Sequence, residues 1–206
     1  MTTRVKICGI TSAADGLMAA EAGADMIGLM FYEESPRYVA PFLAGKIAQA
    51  IPPQVLRVGV FVNPSESLVS QAIAECSLNL LQFHGEETSD FCTQFGLMSI
   101  KAVRVRDAAA LHELAAYRTA AFLLDAYSPN GRGGTGEKFD WELAIEAAKL
   151  GKPIFLAGGL TPENVAEAVR RVNPFAVDVS SGVESAPGKK DAAKVRAFIS
   201  AAKSEA

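Results

Sequence analysis

Eight short apolar, largely β-branched runs alternate with eight amphipathic runs along this 206-residue chain, and that alternation leaves few folds open. The strand-like runs are RVKICGI (4–10), DMIGLMF (25–31), VLRVGVFV (55–62), LNLLQFHG (78–85), MSIKAVRV (98–105), AAFLLDAY (120–127), PIFLAGGL (153–160) and FAVDVSS (175–181). The helical ones are SAADGLMAAEAG, PFLAGKIAQAI, SESLVSQAIAEC, TSDFCTQF, DAAALHELAAY, FDWELAIEAAKL, TPENVAEAVRRV and DAAKVRAFISAA. Near-continuous apolar strands predict a sheet covered on both faces, and helical crossovers predict parallel pairing. Eight such units predict an α/β chain folded as a closed (β/α)₈ TIM barrel in preference to a doubly wound sheet. No linker, low-complexity tract or charge block interrupts the pattern, so residues 1–206 are read as one barrel domain.

In such a barrel the working groups sit where strands end and the following loops begin. Three of those loops are long: YEESPRYVA after the second strand, YSPNGRGGTGEK after the sixth and GVESAPGKK after the eighth. The seventh strand ends in Gly158 and Gly159, then Thr161-Pro162-Glu163, which reads as an N-cap, a proline at the first helical position and a first-turn acid. The eighth ends in Ser180, Ser181 and Gly182. Small strand tips expose backbone N–H groups beside helix N-termini, and this predicts a phosphate cup built from Gly158, Gly159, Ser180, Ser181 and Gly182. The implied partner is a small phosphorylated molecule.

Candidate chemistry clusters at the same ends. Cys8 closes the first strand, with Lys6 on the same face two residues earlier, where an ammonium would lower a thiol pKa. Cysteine is also commonly a small buried residue, and Cys76 and Cys92, inside helical runs, are read that way. Asp125 ends the sixth strand and is either a solvated loop acid or a desolvated general acid. Asp178, between apolar neighbours, is expected to point into the barrel and to pair with Lys6 or Lys101, or to touch substrate. Arg37, after Pro36, is either a surface residue or a bidentate carboxylate clamp. His84 is a candidate hydrogen-bonding rim residue, and His112 is expected at the surface of a helix. The GxGxxG string Gly131–Gly136 starts too far past its strand, and lacks the later acid, for a dinucleotide site. It suits a flap with Phe139-Asp140-Trp141 at its base.

Composition closes other routes. A formal net charge of −3 with no basic cluster argues against nucleic acid or an anionic membrane. No apolar run approaches a membrane span, and the N-terminal segment does not read as a secretory leader. Three cysteines without a CxxC fit reduced thiols in the cytoplasm, and no histidine or acid cluster has metal-ligand spacing.

The stretches KICGIT (6–11), SPRYV (35–39), VGVFVN (58–63), FHGEE (83–87), LLDAY (123–127), GGTGEKFDW (133–141), LAGGLTPENV (156–165) and VDVSSGVESAPGKKD (177–191) together resemble the phosphoribosylanthranilate isomerase family of tryptophan biosynthesis. Phe83 departs from the leucine usual before the His-Gly of strand four. The resemblance implies a cofactor-free, metal-free Amadori isomerase, acting as a monomer or homodimer. It implies Cys8 as general base, Asp125 as general acid and Arg37 as the group that binds the anthranilate carboxylate. Alternatives on the same scaffold are another phosphosugar aldose–ketose isomerase, such as the two-carboxylate enzyme of histidine synthesis, indole-glycerol-phosphate synthase, or a non-catalytic phosphometabolite-binding barrel.

Overall fold

The computed structural model describes residues 2–105, 111, 114–126 and 141–204. Among them eight parallel strands close in chain order into a barrel. They are β1 (Arg4–Cys8), β2 (Met26–Met30), β3 (Leu56–Phe61), β4 (Leu80–Phe83), β5 (Met98–Val105), β6 (Ala121–Ala126), β7 (Ile154–Leu156) and β8 (Ala176–Val179). β1 pairs with both β2 and β8, which seals the ring. The helices between them are α1 (Ala13–Glu21), α2 (Pro41–Ala50), α3 (Glu66–Cys76), α4 (Ser89–Thr93), α5 (Trp141–Ala148), α6 (Val165–Val172) and α7 (Ala192–Ser204). Most of the helix expected over 107–117, His112 with it, and the glycine-rich loop 127–140 lie outside the described residues.

The two-residue period of a strand sorts the apolar residues into two cores. Val5, Ile7, Ile27, Leu81 and Leu124 face outward into the large cluster beneath the helices. Met26, Val58, Leu80, Ile100, Leu123 and Phe155 form the smaller cluster that fills the barrel. Phe83 takes part in an aromatic array on the outer side, stacking with Phe61 at 5.8 Å and Phe95 at 6.1 Å and meeting Phe91 edge-on at 5.7 Å. A leucine there would leave those rings without their central member, so the departure at this position is a packing choice of the β4–α4 region.

Local signals placed several helix starts. Ser12, Ser65 and Thr88 each accept a hydrogen bond from the backbone amide three residues on, as N-caps do. Thr161 is the exception. The helix expected to begin there starts at Val165, after a turn in which Thr161 N donates to Asn164 Oδ1 and Asn164 N donates to Thr161 O. Asn164 Nδ2 also donates to Gly159 O, so its amide group clamps the strand-seven loop from both sides and delays the helix. The segment after β8, read from sequence as a loop, is a 3₁₀ turn (Ser181–Val183) followed by a hairpin of β9 (Glu184–Ala186) and β10 (Lys189–Lys190). Thr11 Oγ1 donates to Gly188 O at 2.5 Å and Lys190 N to Asp15 Oδ2 at 3.2 Å, which fastens the hairpin over the end of β1.

The outer ring also depends on close helix approach. A Cβ at Gly45 of α2 would lie 2.8 Å from the Glu75 carbonyl oxygen of α3, a backbone atom with little freedom to yield. Gly45→Val is expected to cost about 1–3 kcal/mol in urea unfolding, the usual penalty of overpacking. An unchanged midpoint would show that the two helices are not in fixed contact.

Candidate active site

Cys8 lies at the tip of β1 and points inward with Lys6, since their neighbours Val5 and Ile7 face the outer core. Gly28, opposite Cys8 on β2, makes room for both: a Cβ there would sit 2.7 Å from Cys8 Sγ and 3.2 Å from Lys6 Nζ. Lys6 is fully buried, and its ammonium donates to Asp178 Oδ1 at 2.9 Å. Of the partners foreseen for Asp178, Lys6 is therefore the one it takes. Lys101 faces the other way, donating to Gly85 O and to Glu87 Oε2 at 2.8 Å. Glu87 in turn accepts from the amides of Asn63 and Gly85, so this outer pair fixes the loop that presents His84.

Burial pushes the Cys8 thiol above its ordinary value, and the neighbouring ammonium of Lys6 pulls it down by less. This corrects the expectation that Lys6 would leave the thiol acidic. For Lys6 burial is again the largest effect and lowers its pKa, but Asp178 and Cys8 together more than restore it. Cys76 and Cys92 are buried in α3 and α4, away from the barrel mouth, with pKa values pushed up to about 11 mainly by burial.

Asp125 shares the inward face of β6 with Leu123. Its Oδ2 lies 3.5 Å from His84 Nε2 at the end of β4, and both side chains remain partly open to the barrel mouth. The residues of the expected cup follow β7 and β8, which pair with each other. Gly158 and Gly159 have φ of 82° and 66°, a left-handed region that suits glycine. A Cβ at Gly182 would collide with the Leu160 carbonyl, so the two tips touch through backbone alone.

Arg37 crosses the tip of β1. Its Nε and Nη2 donate to the two carboxylate oxygens of Glu184 at 2.8 and 2.7 Å. Lys190 Nζ donates to the same carboxylate at 2.8 Å and to the Ser180 carbonyl at 3.2 Å. Burial pushes Glu184 up, but its bonds to Arg37 and Lys190 outweigh this and hold it below the usual carboxylate range. Burial lowers Lys190, and a carboxylate shared with Arg37 only partly compensates.

The family model for N-(5′-phosphoribosyl)anthranilate isomerase matches residues 5–201. An enzyme of that name from Trichlorobacter lovleyi is 56% identical over 200 residues, covering 97% of this chain and 98% of its own. The chain belongs to the N-(5′-phosphoribosyl)anthranilate isomerase family. The crystal structure of phosphoribosyl anthranilate isomerase from Thermotoga maritima superposes with a TM-score of 0.93 at 44% identity, covering 98% of this chain and 99% of the other. A second isomerase structure, in complex with reduced 1-(o-carboxyphenylamino)-1-deoxyribulose 5-phosphate, gives 0.89 at 41% identity, with the same coverage.

Sequence reasoning reached the strand-tip residues of this isomerase and missed those that hold them. Glu184 and Lys190 read as polar loop residues, and Gly28 as a small residue in a strand. A buried acid between two cations leaves no periodic trace. The available signal was a lone glutamate and a lysine in a loop already singled out by its length.

Two outcomes follow from the Lys6 and Cys8 environment. Iodoacetamide labelling of Cys8 should keep accelerating as pH passes 9.0, the ordinary thiol value, because burial dominates its titration; a plateau by about pH 8 would mean that the cationic field wins. Asp178→Ala should cost about 3–5 kcal/mol in urea unfolding at neutral pH, because the Lys6 ammonium is left buried and unpaired. Lys6 is raised in the folded state, so its contribution is complete below 10.5 and lost as pH climbs through the raised value. In the variant burial acts on Lys6 without Asp178 to offset it, so the difference should begin to narrow as pH rises toward 10.5 and narrow further in strong alkali.

Proposed function

We propose that Cys8 is the general base and Asp125 the general acid of this isomerase, with Arg37 as the anchor of the substrate carboxylate. As a member of its family, the chain converts N-(5-phosphoribosyl)anthranilate to 1-(2-carboxyphenylamino)-1-deoxyribulose 5-phosphate in tryptophan biosynthesis. The observation that carries the assignment is the placement of an inward thiol on β1 and an inward carboxylate on β6, on separated parts of one barrel wall, with a small-residue cup at β7 and β8 between them. A relative that binds a reduced, carboxylate- and phosphate-bearing product supports this division into an anion cup, a reaction zone and a carboxylate anchor.

The chemistry runs in three moves. Protonated Asp125 gives its proton to the furanose ring oxygen as the C1–O bond breaks, and the nitrogen lone pair forms the C1–N iminium. The Cys8 thiolate then takes the C2 proton, and the C–H electron pair becomes the C1–C2 double bond of an enolamine while the iminium is neutralised. Finally the Asp125 carboxylate takes the enolamine hydroxyl proton, the Cys8 thiol gives its proton to C1, and the ketone forms with both groups restored. Composition is unchanged overall. The order matters for a buried thiol: once the ring has opened, a cation stands next to C2 and lowers the cost of a thiolate that burial alone disfavours. Asp125 is set beside His84 to hand a proton into the same space.

In this reading Gly158, Gly159, Ser180, Ser181 and Gly182 bind the phosphate through backbone groups, and Asp178 holds Lys6 and lines the floor under the sugar. The barrel acts as one catalytic domain in the cytoplasm. Among the described residues no helix is long and apolar enough to cross a membrane.

Turnover is followed through the fluorescence of the anthranilate group. Cys8→Ser should lose roughly 10²–10⁴-fold in kcat, the usual worth of one acid–base group, and Asp125→Asn at least as much, while both still bind a reduced product analogue. Wild-type turnover by Cys8→Ser would move the base elsewhere.

A further inference from the structure

Arg37 stands on a long loop after β2, where an arginine left to itself would sample many rotamers in solvent. It does not, and the restraint comes from the neighbouring tips of β1 and β8. Its stem crosses the tip of β1 at Gly9: a Cβ on that glycine would lie 2.5 Å from Arg37 Cδ and 3.0 Å from Ser180 Oγ, with φ at 74°. Only a residue without a side chain lets the arginine lie in this trough between β1 and β8. Its head then meets Glu184, the first residue of β9, edge to edge through Nε and Nη2. Among the described residues Nη1 has no hydrogen-bond partner, and the side chain keeps 21% of its surface exposed.

Glu184 is itself fixed. It is 8% exposed, and Lys190 Nζ, with no exposed side-chain surface, holds its Oε1 at 2.8 Å from below while also bonding the Ser180 carbonyl. Lys194 Nζ donates to the Glu184 main-chain carbonyl at 3.0 Å. The cluster carries two cations on one carboxylate, an excess of one positive charge beside the strand-eight tip. A rigid fork presented edge-on with net positive charge suits a planar carboxylate on a ligand.

We infer that Glu184 is a positioning residue for substrate recognition: it acts through Arg37, locking the guanidinium in the plane that receives the substrate carboxylate. The inference rests on the reading of Arg37 given above. Without Glu184 the arginine keeps its charge but regains its rotamers, and each productive encounter must then order it again. The loss falls on binding and leaves the proton transfers at Cys8 and Asp125 as they are.

The test is a double-mutant cycle on the purified enzyme. Arg37→Ala should raise KM for phosphoribosylanthranilate about 10–100-fold, the range of one lost charged contact. Glu184→Gln should raise KM by roughly 10-fold with kcat within about threefold, and Glu184→Asp, too short to reach both nitrogens, should fall between it and wild type. Glu184→Gln/Arg37→Ala should be no worse than Arg37→Ala alone, because Glu184 has nothing left to position. Additive losses, or an unchanged KM in Glu184→Gln, overturn the inference. Glu184→Gln strands the Lys190 ammonium; if that variant unfolds, Glu184→Gln/Lys190→Met removes the stranded charge and the same KM comparison applies. An Arg37→Ala enzyme with unaltered kcat/KM sinks the reading of Arg37 itself, whereas a crippled Arg37→Ala beside a normal Glu184→Gln sinks only the role of Glu184.

Discussion

The mouth of this barrel is organised around a single ammonium buried inside it. Lys6 and Asp178 are register partners on β1 and β8, the first and last strands, so their ion pair crosses the seam where the ring closes. Buried pairs seldom repay the cost of desolvation, and an apolar pair of similar volume would often be as stable. Its value lies in what stands above it. Lys6 is the cation nearest Cys8, Gly28 opens the space in which ammonium and thiol meet, and Asp178 holds the ammonium where it acts on that thiol.

That arrangement sets two opposing forces on the thiol. Burial penalises the thiolate, and the neighbouring cations, Lys6 first and Lys190 after it, do not cancel the penalty. In the mechanism proposed above the acid acts first, and ring opening supplies a further cation beside the thiol. At Glu184 one carboxylate serves two cations and leaves a positive excess near the strand-eight tip.

The polar groups at the strand tips and the groups that restrain them come from different parts of the chain. Arg37 is supplied by the β2 loop, its trough by Gly9 of β1, and its partner by the hairpin after β8, separated by 147 residues from the arginine it holds. Asn164 does the corresponding work for the strand-seven loop through one side-chain amide that bonds residues on both sides. In each case an exposed loop is made rigid by a polar side chain whose partners are already fixed.

The sequence by itself determined the architecture, because eight repeats of strand and helix period admit one closed solution, and side-chain alternation along each strand decides which residues face in. It also placed Cys8 and Asp125 at the ends of strands and Arg37 on the long loop after the second strand, positions that barrel topology brings to the same end of the ring. Phe83, a mismatch as a string, became intelligible only as the centre of an aromatic array. The start of α6 was misread because a proline at the first helical position looks the same locally whether or not a later asparagine turns back on it. Tertiary structure alone decided that Asp178 pairs with Lys6 and not Lys101, that burial outweighs the ammonium at Cys8, and that Glu184 holds Arg37. Those outcomes turn on which groups share a small volume without water, and electrostatic energy in such a volume depends on distances that no linear spacing encodes.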